Sequence, residues 1–231
     1  PDTLTWLADR VIYEDSRILV IDKPAGLAVH GGSSVSLGCI EGLRLLRPEA
    51  KDLELAHRLD RGTSGVLLLA KRRSALRTLH ELLRESRVEK KYLALVKGRW
   101  PEATIEVDAP LVTRRVSGEA RVKVDPEGKP AQSTFRVLEG YGKTASLLEV
   151  GIETGRTHQI RVHANHVGHP VAGDDRYGDK DFNAYMETFG LQRMFLHAHS
   201  LSFEWPDTGE PFQASAPLPA DLRRSEEHTS E

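Results

Sequence analysis

The chain has 231 residues, 39% of them hydrophobic and 29% charged, with a formal net charge of −2. This is the balance of a folded globular protein, and it excludes a disordered or collagen-like chain. Cys39 is the single cysteine, which excludes an internal disulfide and a Cys-rich zinc site and fits a reducing cytoplasm. No apolar run approaches the roughly 18 residues of a membrane-spanning helix, and no signal peptide is recognisable, so no membrane role is expected. Pro1 is not an initiator Met, and the natural start is expected upstream of it.

In chain order, Arg17 to Asp22 (RILVID) reads as a buried strand ended by Lys23-Pro24-Ala25-Gly26. Gly31 to Ser34 reads as a flexible loop. Ser36 to Arg47 has Leu37, Ile40 and Leu43 at helical spacing, with Pro48 as a stop and Cys39 packed inside. Gly65 to Ala70 (GVLLLA) is a buried strand. Ser74 is expected to cap a helix whose Leu76, Leu79, Leu82 and Leu83 form one stripe.

Lys91 to Val96 alternates, with Tyr92, Ala94 and Val96 on one face and Leu93 and Leu95 on the other. Gly98 to Ala103 breaks the pattern. Arg121 to Val124 and Gln132 to Leu138 read as strands around the turn Pro126-Glu127-Gly128-Lys129, and Ser146 to Ile152 as another. Thr157 to Val167 reads as a helix closed by Gly168, and Leu201 to Trp205 as the last strand. Many strands with a few interspersed helices predict an α+β domain over 1–223 with a large mixed or antiparallel sheet. The last eight residues, RSEEHTSE at 224–231, are polar and without periodicity. They resemble the in-frame translation of a common DNA sequencing adapter, and a disordered tail without packed contacts is expected there.

Charge is unevenly spread. From His57 to Arg99 there are 12 Lys/Arg against 4 Asp/Glu, a balance of +8, and the rest of the chain carries −10. A basic face of this kind attracts a phosphate backbone even on a neutral protein, although a solvated helix face has the same signature. Within it lies His57-Arg58-Leu59-Asp60-Arg61-Gly62-Thr63-Ser64-Gly65. An Asp between two Args in a glycine-containing loop is well placed to stay ionised and act as nucleophile or base, or else to form a structural ion pair.

Tyr92 follows Lys90-Lys91, an aromatic beside cations that suits base stacking with phosphate contacts, or simply a core position. Gly155-Arg156-Thr157-His158-Gln159-Ile160-Arg161 enters a helix, where Arg156 and the helix start could meet an anion. His158, His163, His166 and His169 raise a metal reading, but their spacing matches no usual ligand motif, and no metal is expected. Neither a Walker-type nor a dinucleotide-type glycine loop occurs.

Together these segments resemble the RluA-type family of pseudouridine synthases. HRLDRGTSG at 57–65 resembles the family's catalytic motif, KKYLALVKG at 90–98 its tyrosine motif and GRTHQIRVH at 155–163 its third. Phe195-Leu196-His197-Ala198 resembles a further one, and order and spacing agree from about Ile12 to about Pro219. VHGGS at 29–33, IEGLRLLRPEA at 40–50 and DDRYGD at 174–179 resemble the subgroup acting on large-subunit (23S) ribosomal RNA, whose members usually carry an N-terminal S4 RNA-binding domain. By that resemblance such a domain is expected to lie outside these 231 residues.

The resemblance implies a long, mostly antiparallel bent sheet flanked by helices around a central cleft. It implies Asp60 as catalytic carboxylate, Tyr92 stacked on the uracil, and Arg161 paired with Asp60. It further implies Arg58 filling the space of the flipped base, Ile160 and Leu196 walling the pocket, and Arg156 near the substrate. No metal or nucleotide cofactor is called for, and a monomer is expected. Rivals are a related enzyme acting on tRNA or another RNA, a non-catalytic RNA-binding protein on this fold, and a metal-dependent hydrolase using the histidines.

Overall fold

The structure, a computed structural model, describes residues 2–30 and 38–229. The elements in chain order are α1 (Asp2–Ala8), β1 (Val11–Glu14), β2 (Ile18–Lys23), α2 (Cys39–Leu46), β3 (Glu54–Leu55), β4 (Ser64–Ala70) and α3 (Arg73–Arg84). There follow β5 (Glu89–Lys97), β6 (Thr104–Asp108), β7 (Leu111–Val116), β8 (Glu119–Val124), β9 (Gln132–Tyr141) and β10 (Ala145–Ile152). The chain closes with α4 (Gln159–His166), α5 (Lys180–Glu187), β11 (Leu196–Glu204), β12 (Pro211–Ser215) and α6 (Ala220–Thr229). This is an α+β protein. It divides into two compact units, one of residues 1–88 and 198–217, the other of residues 89–197 and 218–231. The loop expected at Gly31 to Ser34 lies outside the described residues.

In the first unit β2 pairs antiparallel with β1 on one side and β4 on the other, from Ile18↔Ala70 to Lys23↔Gly65. Both β2 and β4 are almost wholly buried, as their unbroken apolar runs require. β12 pairs antiparallel with β11 from Ser200↔Ser215 to Glu204↔Pro211. One core joins Val20, Val66 and Leu68 to Leu79 and Leu82 of α3 and to Leu201, Phe203 and Phe212. The predicted leucine stripe of α3 is thus its buried face. Its cap is not Ser74: the helix starts earlier, after Arg72, with no side-chain cap, and Ser74 lies inside the first turn.

Glu14 at the end of β1 ties that strand to Arg47 after α2 and to Lys71 after β4. Its carboxylate accepts from Arg47 Nε and Nη2 (3.0 and 2.9 Å) and from Lys71 Nζ (2.7 Å). The Arg47 hydrogen bonds, with those of Lys71, outweigh burial and hold its pKa down to about 2 against an ordinary 4.5. A depressed carboxylate stabilises the fold above its unfolded pKa and loses that contribution as pH falls through the folded one. Glu14→Gln is expected to cost about 1–2 kcal/mol at pH 7, allowing for solvent screening. The difference in urea midpoint from wild type should close between pH 4.5 and about 2. A gap that persists at pH 2 would mean that packing, not charge, holds the site.

In the second unit β10 pairs antiparallel with β5 and with β9, and β9 with β6. β7 and β8 form a separate two-stranded ribbon, from Leu111↔Val124 to Val116↔Glu119. The turn expected at 126–129 is present, with Gly128 N–H donating to Asp125 O at 2.9 Å. The strands beside it do not pair with each other: β8 joins β7, and β9 joins β10 and β6. Phe135 of β9 is fully buried, whereas β7 is exposed from Thr113 onward, so the two strands belong to different environments.

The tail expectation fails over 224–229. α6 runs through to Thr229, Ser225 is buried, and the Tyr141 hydroxyl donates to the Glu226 carboxylate. Leu222 anchors the helix in the cluster of Leu95, Phe182 and Phe195, and nothing in Ser-Glu-Glu-His-Thr breaks a helix nucleated there.

Candidate active site

Asp60 sits in the loop between β3 and β4, in the first unit. Leu59 is buried and anchors the loop, Asp60 is half-buried, and Arg58 is exposed. Thr63 N–H donates to Asp60 O at 3.0 Å, closing a tight turn just before β4. The loop is fastened from below. Lys23, fully buried at the end of β2, donates from its ammonium to the carbonyls of Pro24 (3.0 Å), Leu27 (2.8 Å) and Arg61 (3.1 Å). Arg61 and Gly26 bond reciprocally, Gly26 N–H to Arg61 O at 2.8 Å and Arg61 Nε to Gly26 O at 2.9 Å. Arg61 therefore fixes the loop's shape. His57 Nε2 accepts from Leu68 N–H at 3.0 Å, which leaves its ring proton on Nδ1.

Gly65 follows the motif at φ +117°. A Cβ there would lie 2.1 Å from the Ala198 carbonyl oxygen, so only glycine allows the two backbones to meet. Two glycine-dependent points thus bracket the carboxylate, since Gly26 also has a left-handed φ of +91°.

The remaining predicted residues belong to the second unit. Tyr92 is buried on β5, opposite Val150 of β10, and shares its inward face with Lys90, Ala94 and Val96. Ile160 and Leu196 are buried, and Arg156 is exposed with its Nε donating to Pro130 O at 2.9 Å. Arg161, 7% exposed, forks onto Asp174 through Nε (2.9 Å) and Nη2 (2.8 Å). Asp174 is itself buried and also accepts from the amides of Arg176 (3.0 Å) and Tyr177 (3.2 Å). Burial pushes its carboxyl pKa up, but the hydrogen bonds and charge of Arg161, with the two amides, outweigh burial and hold it below the ordinary value. The Arg161 guanidinium lies 5.1 Å from the centre of the Tyr177 ring.

In the sequence Asp174 stands out only as the first residue of DDRYGD. It is the residue that fixes Arg161, and DDRYGD at 174–179 was the available signal.

The rest of the 155–163 motif builds the bend into α4. Gln159 accepts from the Thr154 hydroxyl (2.7 Å) and Arg156 N–H (3.1 Å) and donates to Gln132 O and Ser133 Oγ (both 2.9 Å). His163 donates from Nε2 to Ala109 O (2.9 Å) and accepts from Ser133 Oγ at Nδ1 (2.8 Å). Both its nitrogens are occupied, and burial pushes its pKa below the ordinary value. His158 adopts the left-handed conformation at φ +55°, its Nδ1 2.7 Å from the Tyr177 hydroxyl. Among the described residues, no three His, Cys, Asp or Glu side chains converge as metal ligands. No described helix is long and apolar enough to cross a membrane.

Within its own unit each of these charged groups is held firmly, the half-buried carboxylate on a fastened loop and the buried guanidinium by Asp174. The family model for RNA pseudouridylate synthase matches residues 17–166. Ribosomal large subunit pseudouridine synthase C of Yersinia pestis is 54% identical over 223 residues, covering 96% of this chain and 69% of that protein. The protein of the same name from Escherichia coli (strain K12) is 55% identical over 221 residues, covering 94% and 69%. Among solved structures, human RNA pseudouridylate synthase domain containing 4 aligns at a TM-score of 0.81 and 26% identity, covering 99% of this chain and 95% of that one. This chain belongs to the RNA pseudouridylate synthase family.

Proposed function

We propose that this chain isomerises uridines of large-subunit ribosomal RNA to pseudouridine, with Asp60 as the catalytic carboxylate. The observation that carries this is the fastened 57–63 loop presenting a half-buried Asp60, in a chain 54–55% identical to enzymes named for that reaction. The reaction breaks the bond between N1 and C1′, turns the uracil, and joins C5 to C1′. The proton lost from C5 is balanced by one gained at N1, so no oxidant or reductant takes part. A stacked uridine is out of reach, and the nucleotide must first flip out.

Asp60 attacks C1′ or removes the 2′ proton. Arg161, immobilised by Asp174, is its cationic partner. Tyr92 stacks on the uracil and assists loss of the C5 proton. Arg58 takes the space that the base vacates, Ile160 and Leu196 exclude water, and Arg156 meets the RNA backbone. The protein acts in the cytoplasm as a monomer without metal or nucleotide cofactor.

Mapping pseudouridine in ribosomal and transfer RNA from cells with and without the gene tests the substrate. Loss of signal at ribosomal sites is expected, and loss confined to transfer RNA would overturn the assignment. Tyr92→Phe is expected to keep RNA affinity within about twofold while slowing single-turnover conversion about 10²-fold, the usual scale of an assisting proton transfer. Unchanged turnover would confine Tyr92 to stacking.

A further inference from the structure

The β7–β8 ribbon is an island of positive charge. Over 111–124 it has four cations, Arg114, Arg115, Arg121 and Lys123, against one acid, Glu119, a balance of +3. It lies in the part of the chain that, outside residues 57–99, totals −10. Strand alternation divides its side chains between two faces. Leu111, Val122 and Val124 are on the inner face, in a cluster with Ala131, Val162 and Tyr177. The pairs Val112↔Lys123, Arg114↔Arg121 and Val116↔Glu119 make the outer face. There Arg114, Arg121 and Lys123 are exposed, and Val116 near the tip is 55% exposed.

Arg114 stands directly opposite Arg121, and like charges so placed destabilise a strand pair. The nearby acids are engaged elsewhere: Glu119 pairs with Arg176 at 2.9 Å, and Asp125 lies 3.9 Å from Lys123. The ribbon is nevertheless held in place along its β8 edge. Arg176 Nη1 donates to Ala120 O (2.7 Å), and Val122 N–H donates to the Tyr177 hydroxyl (3.0 Å). The amides of these same two residues donate to Asp174, which holds Arg161. The cationic face is therefore fixed in register with Arg161. A solvated face gains nothing from two opposed arginines, whereas a polyanion laid across them would relieve their repulsion.

We infer that the outer face of β7–β8, through Arg114, Arg121 and Lys123, is a docking surface for the phosphate backbone of the RNA substrate. The inference rests on the RNA reading above and deepens it. The cations lie about 5 Å apart across the strands and about 7 Å apart along β8, so one backbone can meet them together. Guanidinium forks match phosphate oxygens. Contacts of this kind position a nucleic acid without reading its sequence. Because Arg176 and Tyr177 join the ribbon to Asp174, RNA docked here is placed relative to Arg161.

The test is equilibrium binding and single-turnover conversion of large-subunit ribosomal RNA transcribed in vitro, from about 50 to 300 mM salt. The double variant Arg114→Gln with Arg121→Gln is expected to bind about 10- to 100-fold more weakly. Its slope of log affinity against log salt should fall by about 1.4–1.8, two phosphate contacts, with the rate at saturating RNA unchanged. Its melting temperature should equal or exceed that of wild type, since the opposed charges are gone. Arg114→Lys with Arg121→Lys keeps both charges and should keep the slope. Lys143→Gln removes an exposed charge from the β9–β10 turn, outside the ribbon, and should leave affinity and slope as in wild type.

Wild-type affinity and slope in the double glutamine variant, with conversion by wild type intact, would overturn the docking surface and spare the RNA reading. So would an equal loss in Lys143→Gln, which would reduce the effect to net charge. A double variant that binds RNA normally but no longer binds polyglutamate would assign the face to an acidic protein and overturn the inference as well. If wild type neither binds nor converts the transcript, the RNA reading fails, and the docking surface falls with it.

Discussion

Asp60→Asn is expected to abolish isomerisation while leaving the fold and RNA affinity intact. The substitution is nearly isosteric. The turn depends on the backbone carbonyl of residue 60, which accepts from Thr63, and on Lys23 and Arg61, none of which the change touches. What it removes is the charge that the proposed mechanism places at the ribose, and losses of about 10⁴-fold or more follow the removal of a residue of that kind. Release of tritium from RNA labelled at uracil C5 reads the reaction directly. A folded Asp60→Asn protein releasing tritium at the wild-type rate would remove Asp60 from the mechanism.

The second large effect concerns stability. Asp174→Ala takes away the acid onto which the Arg161 guanidinium forks, in a site where the two side chains are 9% and 0% exposed. Breaking a buried pair from one side costs about 3–5 kcal/mol, far more than losing an exposed one. Replacing both partners, as in Arg161→Met with Asp174→Leu, should recover most of that loss, because the buried acid and the guanidinium it holds are removed together. If Arg161 also serves catalysis, the double variant will regain its urea midpoint and remain inactive. Recovery of both stability and turnover would show that the pair is architectural only. An undiminished midpoint in Asp174→Ala would contradict the buried-pair reading altogether.

What the sequence disclosed depended on whether the signal was local. β2 and β4 were legible as unbroken apolar runs, α3 as a leucine stripe, and β5 by its alternation. β6 and β7 were missed because they are short and mostly solvent-facing, so they carry no apolar period to count. α5 was missed although Asp179 caps it through Phe182 N–H, a signal visible in principle. The 57–65 loop was readable as a motif, but its fastening was not. Lys23 and Arg61 are 38 residues apart, and a lysine after a strand gives no hint that its ammonium will collect three carbonyls. Arg161 was singled out without Asp174, since a partner 13 residues away across a proline has no helical or strand register to betray it.

The division of the chain has a consequence for its synthesis. Residues 89–197 are an insertion within the first unit, whose core needs Leu201, Phe203, Trp205 and Phe212 from beyond it. On a ribosome adding about 5–20 residues per second, the first 88 residues emerge about 5–20 s before the strands that complete their core. Throughout that interval β4 lacks the backbone at Ala198 against which Gly65 seats, and the loop that carries Asp60 has no finished support. The nascent chain therefore holds the Asp60 loop unsettled until the insertion has been made, and the first unit is completed late in translation.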